Sequence, residues 1–380
     1  MKIVADENIP LAQEFFGTLG ELELVPGRNL SAAEISNADV LIVRSVTPVN
    51  SSLLEDSSIK FVGSCTIGTD HLDVEFLNRN RIAWANAPGC NANSVVEYVF
   101  AALAALSVDW REKRFAVIGC GNVGSRLYNQ LRALELRCDV VDPALTTRQC
   151  PDLVDLTQAL QADVICLHTP LTLTGPWSTH HMINGERLEQ MPNNAILINA
   201  GRGGVVDNSQ LLAHLDQNPN FKAVLDVWEH EPAINLQLLD KAALATPHIA
   251  GYSYDGKVKG TEMIYQWLCQ SLGVEASATL GQVMPETEQA VLKWSGQRSP
   301  EDINKYLRQA YDIQADDKNL RAVMASSDQP GVEFDLLRKN YPVRREFTNF
   351  QIPPSLSGNL KKTLLTLGFQ KALHGNTIND

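Results

Sequence analysis

The fold is decided by the stretch Phe115–Gly124, which reads Phe-Ala-Val-Ile-Gly-Cys-Gly-Asn-Val-Gly. Four strand-forming residues lead into three glycines, and an apolar stripe with helical spacing continues at Leu127, Leu131 and Leu134. In such a strand–turn–helix unit the glycines permit a tight turn, close approach of a pyrophosphate, and packing of helix against strand. The stretch therefore predicts a dinucleotide site with phosphates at the helix N-terminus. The residues predicted to contact the cofactor here are Gly119, Gly121, Asn122, Val123 and Gly124.

The next predicted strand supports this interpretation, because a glycine turn alone also occurs for steric reasons. Cys138–Val141 ends in Asp142, which lies 18 positions after Gly124. A carboxylate at this point accepts hydrogen bonds from the adenosine ribose hydroxyls and repels a 2′-phosphate. The pattern therefore favours NAD over NADP.

The rest of the first 270 residues alternates short apolar runs with helical segments. The strand candidates before Phe115 are Lys2–Ala5, Glu21–Val25, Val40–Val43, Lys60–Gly63 and Ile82–Trp84. Those after Cys138–Val141 are Val164–Leu167, Ala195–Asn199, Ala223–Asp226 and Leu244–Ala245. Such alternation predicts parallel sheets covered by helices on both faces. The predicted fold class is α/β, with a Rossmann-type doubly wound parallel sheet.

The composition of the 380 residues, 44% hydrophobic and 20% charged, is that of a globular protein with two or three domains. The net charge of -12 argues against a nucleic-acid or anionic-membrane partner. No apolar run has membrane-spanning length, and the early acidic residues Asp6 and Glu7 are unlike a signal peptide. Seven scattered cysteines without a Cys-x-x-Cys pair fit reduced thiols in the cytoplasm. His180-His181 is interpreted as a polar loop, and no metal is predicted.

One helix start is predicted from a local pattern between the two α/β halves. Ser94-x-x-Glu97 has the spacing of a capping box and precedes an alanine-rich apolar helix through Leu106. Because that helix is apolar nearly all round, we expect it to be buried. A second helix start is predicted at Pro300 and Glu301.

Three late strands each end in a polar motif. Arg202 lies among glycines after the first, Glu231 precedes a proline after the second, and His248 follows Thr-Pro after the third. An arginine binds a carboxylate, a histidine takes a hydroxyl proton, and a glutamate beside the histidine stabilises its imidazolium. Together these groups meet the needs of hydride transfer from a 2-hydroxy acid to a nicotinamide. Singly, each has an innocent alternative: a surface salt bridge, a solvated charge, and a partly buried, satisfied histidine.

Two loops after early strands suit an anionic small molecule. Arg44–Thr47 and Ser64–Asp70 are rich in hydroxyls and backbone donors, and both follow strand ends, where open α/β sheets bind ligands. The alternative is ordinary turn chemistry, with Thr69 or Asp70 starting a helix.

Five motifs, in this order, resemble the D-isomer-specific 2-hydroxyacid dehydrogenase family: Gly119-x-Gly121-x-x-Gly124, His168-Thr169-Pro170-Leu171, Asn199-Ala200-Gly201-Arg202-Gly203-Gly204-Val205-Val206-Asp207, Leu225-Asp226-Val227-Trp228-Glu229-x-Glu231-Pro232 and Thr246-Pro247-His248-Ile249-Ala250-Gly251. Further stretches are similar to one branch of that family, which acts on a phosphorylated sugar acid and carries a C-terminal extension: Ala5–Pro10, Val43–Thr47, Cys65–Asp73, Ala87–Ala92 and His248–Ser253.

The resemblance implies that Arg202 holds the substrate carboxylate, that His248 is the acid/base and that Glu231 is its partner. It implies NAD as the cofactor, with these contacts beyond the glycine turn: Asp142, Thr169, Ala200, Gly201, Arg202, Asp226 and Gly251.

The resemblance also implies the substrate, a small phosphorylated 2-hydroxy acid. This would be 4-phospho-D-erythronate, oxidised to 2-oxo-3-hydroxy-4-phosphobutanoate in pyridoxine (vitamin B6) biosynthesis. Its binding residues would be Ser45, Thr66 and Tyr252. For the phosphate we expect Arg44 as a cation, assisted by Arg344 or Arg345 of a partner subunit.

The domain organisation follows from the same resemblance. We expect a flavodoxin-like split substrate domain (residues 1–90 and 250–275), an NAD-binding Rossmann domain (91–249) and a small C-terminal α+β dimerisation domain (285–380). The expected assembly is a cytoplasmic homodimer.

Two alternatives remain at this point. One is the same chemistry on another acid, such as 3-phosphoglycerate, glyoxylate or D-lactate. The other is a non-catalytic NAD-sensing partner protein, since this fold also serves transcriptional corepressors.

Overall fold

A computed structural model describes residues 1–284, 290–293 and 302–372. The chain forms two compact units. The first unit comprises Met1–Asn93 and Tyr252–Glu288, and the second comprises Ser94–Gly251 and Gln289–Asp380. The predicted division into three domains stays a prediction, and its boundary at residue 285 lies outside the described residues.

The strands of the described residues, in chain order, are β1 (Lys2–Asp6), β2 (Glu21–Val25), β3 (Val40–Val43), β4 (Phe61–Ser64), β5 (Ala83–Ala85), β6 (Phe115–Ile118), β7 (Cys138–Val141), β8 (Val164–Leu167), β9 (Ile196–Asn199), β10 (Lys222–Leu225), β11 (Leu244–Ala245), β12 (Ala290–Val291), β13 (Phe350–Ile352) and β14 (Gln370–Lys371). The helices are α1 (Ala12–Phe16), α2 (Ala32–Ile35), α3 (Ser51–Leu54), α4 (Val74–Arg79), α5 (Ala92–Ala105), α6 (Asn122–Ala133), α7 (Leu156–Ala159), α8 (Gly185–Gln190), α9 (Asn208–Gln217), α10 (Leu236–Lys241), α11 (Tyr254–Leu272), α12 (Leu280–Val283), α13 (Asp302–Ala310), α14 (Ile313–Ser326), α15 (Pro330–Lys339) and α16 (Gly358–Thr366).

The first unit is built on a parallel sheet with the strand order β2-β1-β3-β4-β5. β3 reads Val-Leu-Ile-Val and is buried along its whole length, as expected for a strand with helices on both faces. The order reverses between β1 and β3, so the crevice beyond their carboxyl ends is the expected ligand position. This is the flavodoxin-like arrangement that the sequence predicted.

The second unit contains a parallel sheet with the order β11-β10-β9-β8-β6-β7. Its order reverses between β6 and β8, and the glycine turn follows β6 directly. The predicted Rossmann-type fold class is therefore confirmed. Every strand predicted from residues 2 to 245 is present, with ends shifted by no more than one residue.

The C-terminal segment, here the described residues 290–293 and 302–372, belongs to the second unit. It adds a small parallel sheet with the order β12-β13-β14 and the helices α13 to α16. Its side chains contact the end of α5 and the residues that follow it. Arg308 Nη1 donates to the Ala104 carbonyl at 2.8 Å, and Asn304 Oδ1 accepts from Trp110 Nε1 at 3.1 Å. Pro300 and Glu301, the predicted helix start, lie outside the described residues.

The predicted capping box at Ser94 and Glu97 is wrong. α5 begins at Ala92, which places both side chains within the helix. Ser94 Oγ donates to the Ala250 carbonyl at 2.7 Å, and Glu97 Oε1 accepts from the Phe347 amide at 2.8 Å. Both residues thus serve tertiary contacts that a local pattern does not reveal. The expected burial of this helix is confirmed.

Within the described part of the chain, no helix has the length and apolarity needed to cross a bilayer.

Candidate active site

The glycine turn after β6 forms an open cradle at the start of α6. Gly119 has φ +86°, and a Cβ there would lie 2.8 Å from the Thr169 amide nitrogen. A Cβ on Gly124 would lie 1.8 Å from the Gly119 carbonyl oxygen, so this glycine lets the helix pack against the strand. Gly121 differs from both, because a Cβ there would meet no atom within 4 Å. The space beside Gly121 at the helix N-terminus can therefore receive a phosphate.

Asp142 is tied to this turn from the end of β7. Its Oδ2 accepts from the Cys120 amide at 2.8 Å, and its Oδ1 accepts from the Ala144 amide at 2.9 Å. These bonds fix the carboxylate at the carboxyl edge of the sheet. Asn122 and Val123 form the first turn of α6 beside it.

Buried polar atoms directly after β8, in the second unit, fit a cofactor. Among the residues that the structure describes, Thr169 Oγ1 and both ring nitrogens of His168 are buried without a hydrogen-bond partner. Burial lowers the pKa of His168 to about 4, so the ring is neutral at physiological pH. Unpartnered buried donors and acceptors are costly and rare in native proteins. A dinucleotide lying across the ends of β6 and β8 would satisfy them. No role was predicted for His168, although its position at a strand end was an available signal.

The loop after β9 presents Arg202. The buried Asn199 shapes this loop: its Oδ1 accepts from the Gly201 amide at 3.2 Å and its Nδ2 donates to the Arg202 carbonyl at 3.1 Å. A Cβ on Gly203 would lie 1.9 Å from the Trp228 carbonyl oxygen, so the loops after β9 and β10 approach closely. Ala200, Gly201 and Arg202 thus share the carboxyl edge with the glycine turn.

His248 and Glu231 form a direct pair. His248 Nδ1 lies 2.7 Å from Glu231 Oε2, and the Trp228 amide donates to Glu231 Oε1 at 2.8 Å. Burial alone would raise the pKa of Glu231, but the charge and hydrogen bond of His248, together with the Trp228 amide, hold it below its ordinary value. A carboxylate on Nδ1 selects the tautomer whose Nε2 accepts a proton. The pair is therefore arranged for proton transfer at Nε2.

Asp226 organises the segment that carries His248. Its Oδ1 accepts from the Ile249 amide at 2.7 Å, its Oδ2 accepts from the Ala250 amide at 2.9 Å, and its carbonyl accepts from the His248 amide at 2.7 Å. Thr246 Oγ1 donates to the same carboxylate at 2.7 Å. Burial raises the pKa of Asp226, although His248 and these donors oppose that effect. Asp226 was predicted as a cofactor contact, and that role stays a prediction.

The predicted substrate residues lie in the first unit. At its switch point, Arg44 donates from Nε to Asp6 Oδ2 at 2.9 Å and from Nη2 to Asp6 Oδ1 at 3.2 Å. Thr66 Oγ1 lies 2.9 Å from Ser64 Oγ, which lies 2.9 Å from His71 Nε2. Burial lowers the pKa of His71 to about 4, so this histidine is neutral. Ser45 follows Arg44 and is exposed.

Tyr252, at the start of the returning chain, has a cation beside it. Lys257 Nζ lies 4.5 Å from the centroid of the Tyr252 ring. Lys257 was not predicted as a site residue. It lies in the first turn of α11, five positions after Tyr252, and that spacing was the available signal. Gly251 immediately precedes Tyr252 and is the last residue of its stretch of the second unit.

The expectation for Arg344 is wrong. Its side chain is 9% exposed and donates through Nη2 to the Ala250 carbonyl of its own chain at 2.6 Å. A guanidinium held in this way cannot reach the phosphate of a partner subunit. The expectation for Arg345 stays a prediction.

The side chains of His180 and His181, which were interpreted as part of a polar loop, make specific contacts. His181 Nε2 lies 2.6 Å from Glu229 Oε1, and the imidazole rings of His180 and His181 stack at 3.9 Å. Ligand atoms of His180, His181 and Glu229 lie within 4.8 Å of one another. The short His181–Glu229 contact is a salt bridge when the imidazole is protonated.

Comparison with known proteins gives two family matches. Residues 93–250 match the family described as D-isomer specific 2-hydroxyacid dehydrogenase, NAD binding domain. Residues 283–368 match a family described as a domain of unknown function.

Full-length similarity is found with curated proteins. The chain is 52% identical over 378 residues to erythronate-4-phosphate dehydrogenase of Cellvibrio japonicus, covering 97% of this chain and 100% of that one. It is 48% identical over 374 residues to erythronate-4-phosphate dehydrogenase of Teredinibacter turnerae, covering 97% and 98%.

Solved structures share the fold. A D-lactate dehydrogenase from Aquifex aeolicus, complexed with NAD and lactic acid, matches with a TM-score of 0.61 and 24% identity over 72% of this chain and 96% of that one. A 3-phosphoglycerate dehydrogenase from Entamoeba histolytica with bound NAD⁺ matches with a TM-score of 0.62 and 22% identity over 72% and 95%.

Proposed function

The chain belongs to the D-isomer-specific 2-hydroxyacid dehydrogenase family, and from that premise we propose that it oxidises 4-phospho-D-erythronate at C2 with NAD. The product is 2-oxo-3-hydroxy-4-phosphobutanoate, and the reaction serves pyridoxine biosynthesis. The observation that carries this proposal is the 52% identity to an erythronate-4-phosphate dehydrogenase along 97% of the chain.

The cofactor is NAD, and the chemistry it supplies when bound is acceptance of a hydride from C2. We propose that the following residues hold it: Gly119, Gly121, Asn122, Val123, Gly124, Asp142, Thr169, Ala200, Gly201, Arg202, Asp226 and Gly251. The open space at Gly121 and the unpartnered Thr169 hydroxyl support this assignment.

The residues of the second unit perform the remaining chemistry. Arg202 binds the substrate carboxylate and so orients C2. His248 Nε2 accepts the proton of the C2 hydroxyl as the carbonyl forms. Glu231 stabilises the resulting imidazolium through the 2.7 Å contact with Nδ1. The hydride and the proton together account for the two hydrogens that the alcohol loses.

Ser45, Thr66, Tyr252 and Arg44 are proposed to bind the rest of the substrate. The two-point contact between Arg44 and the buried Asp6 supports a fixed orientation for that guanidinium. A fixed cation at a switch point suits a phosphate, because little conformational entropy is lost on binding.

We also propose a cytoplasmic homodimer. All seven cysteines are free, and six of them are buried, which fits a reducing compartment. Val332 and Leu336, one helical turn apart on α15, are 53% and 38% exposed and fit a subunit contact. Light scattering on the purified chain tests the dimer, and a monomeric mass would contradict it.

The substrate assignment is tested by the near-ultraviolet absorbance of NADH after mixing enzyme, NAD and 4-phosphoerythronate. We expect turnover with this acid and far slower reactions with D-lactate, 3-phosphoglycerate and, in the reductive direction, glyoxylate. An absorbance change with one of the other acids but none with 4-phosphoerythronate, whatever electron acceptor is supplied, would overturn the assignment.

A further inference from the structure

The segment Leu244–Ala250, which carries His248, is held near both ends by the C-terminal segment. Asp317 Oδ1 on α14 accepts from the Ala245 amide at 2.8 Å. Arg344 Nη2 donates to the Ala250 carbonyl at 2.6 Å. Because His248 lies two residues before Ala250, the second contact acts close to it.

Arg344 is buried in a setting built around its charge. Its guanidinium lies 4.2 Å from the Tyr311 ring centroid and 6.0 Å from that of Tyr341. The hydroxyls of both tyrosines donate to Asp316 Oδ2, at 2.9 Å and 2.8 Å. A buried charged group costs desolvation energy and is seldom more stabilising than apolar side chains of the same volume. Stability alone therefore does not account for an arginine here, whereas its directed donors do.

Those donors act where the chain passes from one unit to the other. The crossings fall between Asn93 and Ser94 and between Gly251 and Tyr252. Arg344 Nη2 donates to Ser94 Oγ as well as to the Ala250 carbonyl, and Ser94 Oγ itself donates to that carbonyl at 2.7 Å. One guanidinium thus contacts both ends of the Ser94–Gly251 stretch of the second unit.

The backbone at His248 needs such support. His248 has φ +58°, in the left-handed region that is strained for a non-glycine residue. Asp226 holds the amides of Ile249 and Ala250, and Arg344 holds the Ala250 carbonyl from the other side. With donors and acceptors fixed in this way, the backbone that carries His248 cannot relax to an ordinary conformation.

We propose that the C-terminal segment takes part in catalysis through Arg344, as a positioning residue that keeps His248 aligned with Glu231. This inference rests on the proposed function of His248 as acid/base. It assigns to the domain of unknown function a role inside its own subunit, separate from any role in dimerisation.

The test compares Arg344→Met, Arg344→Lys and a matched control, Arg308→Met. Arg308 also donates from the C-terminal segment to a backbone carbonyl, that of Ala104, which is remote from His248 in the chain. For Arg344→Met we expect kcat with 4-phosphoerythronate to fall by about tenfold to a hundredfold, because small displacements of a reacting group cost this much. The KM for NAD should change little. The melting temperature should fall, because methionine leaves the buried Asp316 without this cation, so kcat is measured well below it. Arg344→Lys should restore part of kcat, since an ammonium can still donate to Ala250, and Arg308→Met should retain kcat.

A second measurement does not depend on the substrate assignment. Amide hydrogen exchange in the peptide covering residues 244–250 should be faster in Arg344→Met than in the wild type, and unchanged in Arg308→Met. Wild-type kcat and exchange in Arg344→Met would overturn the inference. So would an equal loss of kcat and NAD affinity without rescue by lysine, which would indicate a merely structural role. If the wild type turns over another 2-hydroxy acid instead, the proposed function fails while the exchange result still decides this inference.

Discussion

At the scale of single residues, the site depends on charges fixed before a substrate arrives. Glu231 accepts one hydrogen bond from the Trp228 amide and faces His248 Nδ1 with its other oxygen. Because both partners favour the ionised form, the carboxylate remains charged despite its burial. The histidine is therefore oriented by an anion whose own position is set by backbone.

Glu231→Gln tests that charge without changing the volume of the side chain. We expect kcat to fall by roughly a hundredfold or more, because an amide does not stabilise the imidazolium, while the KM for NAD stays near the wild-type value. Steady-state kinetics with 4-phosphoerythronate measure both quantities. Glu229→Gln is the matched control, since Glu229 pairs with His181 instead of His248. Equal kcat values for Glu231→Gln and the wild type would exclude the proposed role of Glu231 in stabilising the His248 imidazolium.

The charge of Asp142 is proposed to favour NAD over NADP. Asp142→Asn keeps an oxygen acceptor for the Cys120 or Ala144 amide but removes the charge that repels a 2′-phosphate. We expect the ratio of kcat/KM for NAD to that for NADP to fall by about tenfold, a change of about 1.4 kcal/mol. Initial rates with each cofactor give the ratio. An unchanged ratio would show that discrimination comes from elsewhere.

At the scale of elements, the β6–α6 turn separates two roles that glycines play. Gly124→Ala would place a Cβ 1.8 Å from the Gly119 carbonyl, so we expect a lower melting temperature. The methyl group added by Gly121→Ala would have no atom within 4 Å, so the fold should be unaffected. That methyl group would, however, occupy the space proposed for the pyrophosphate. Its KM for NAD should rise by tenfold or more. Thermal melts and NAD titrations of the two variants decide this; an unchanged KM for Gly121→Ala would place the pyrophosphate elsewhere.

Elements that follow from local physics were predictable, and those that depend on distant contacts were not. β3, Val-Leu-Ile-Val, was evident because a continuous apolar run signals a strand buried on both faces. Ser94 and Glu97 matched a capping box, but their side chains are used by Ala250 and Phe347, far away in sequence. Arg344 was misassigned for the same reason, because its partners lie about 94 and 250 positions away. The positions of the glycine turn, Arg202, Glu231 and His248 after strand ends were predictable, because strand ends mark the carboxyl edge of a sheet. The structural roles of Asn199 and Asp226 required the packed loops.

At the scale of the whole molecule, each unit contains one parallel sheet with a switch point, and each has a partly buried histidine near that edge. His71 lies beside Ser64 in the first unit, and His168 follows β8 in the second. Burial lowers the pKa of both from 6.5 to about 4. Each unit is therefore expected to respond to acid through a group that must be neutral in the folded state.

The sign of that response follows from proton linkage. Between about pH 4 and 6.5 the unfolded chain binds more protons at these two histidines than the folded chain does, so stability falls as the pH is lowered through this window. Protonation of each histidine lowers the free energy of unfolding by about 3.4 kcal/mol at most, taking 1.36 kcal/mol for each pKa unit. The carboxylate of Glu231, whose pKa is lowered, acts in the same direction but mainly below its ordinary pKa of 4.5. Urea unfolding at a series of pH values, followed by circular dichroism, should therefore show a smaller free energy of unfolding at pH 5 than at pH 7. His71→Gln keeps a polar atom for Ser64 but cannot titrate, so its slope against pH should be shallower than that of the wild type. Parallel slopes for the two proteins would mean that His71 is not neutral in the folded state or that it is solvated.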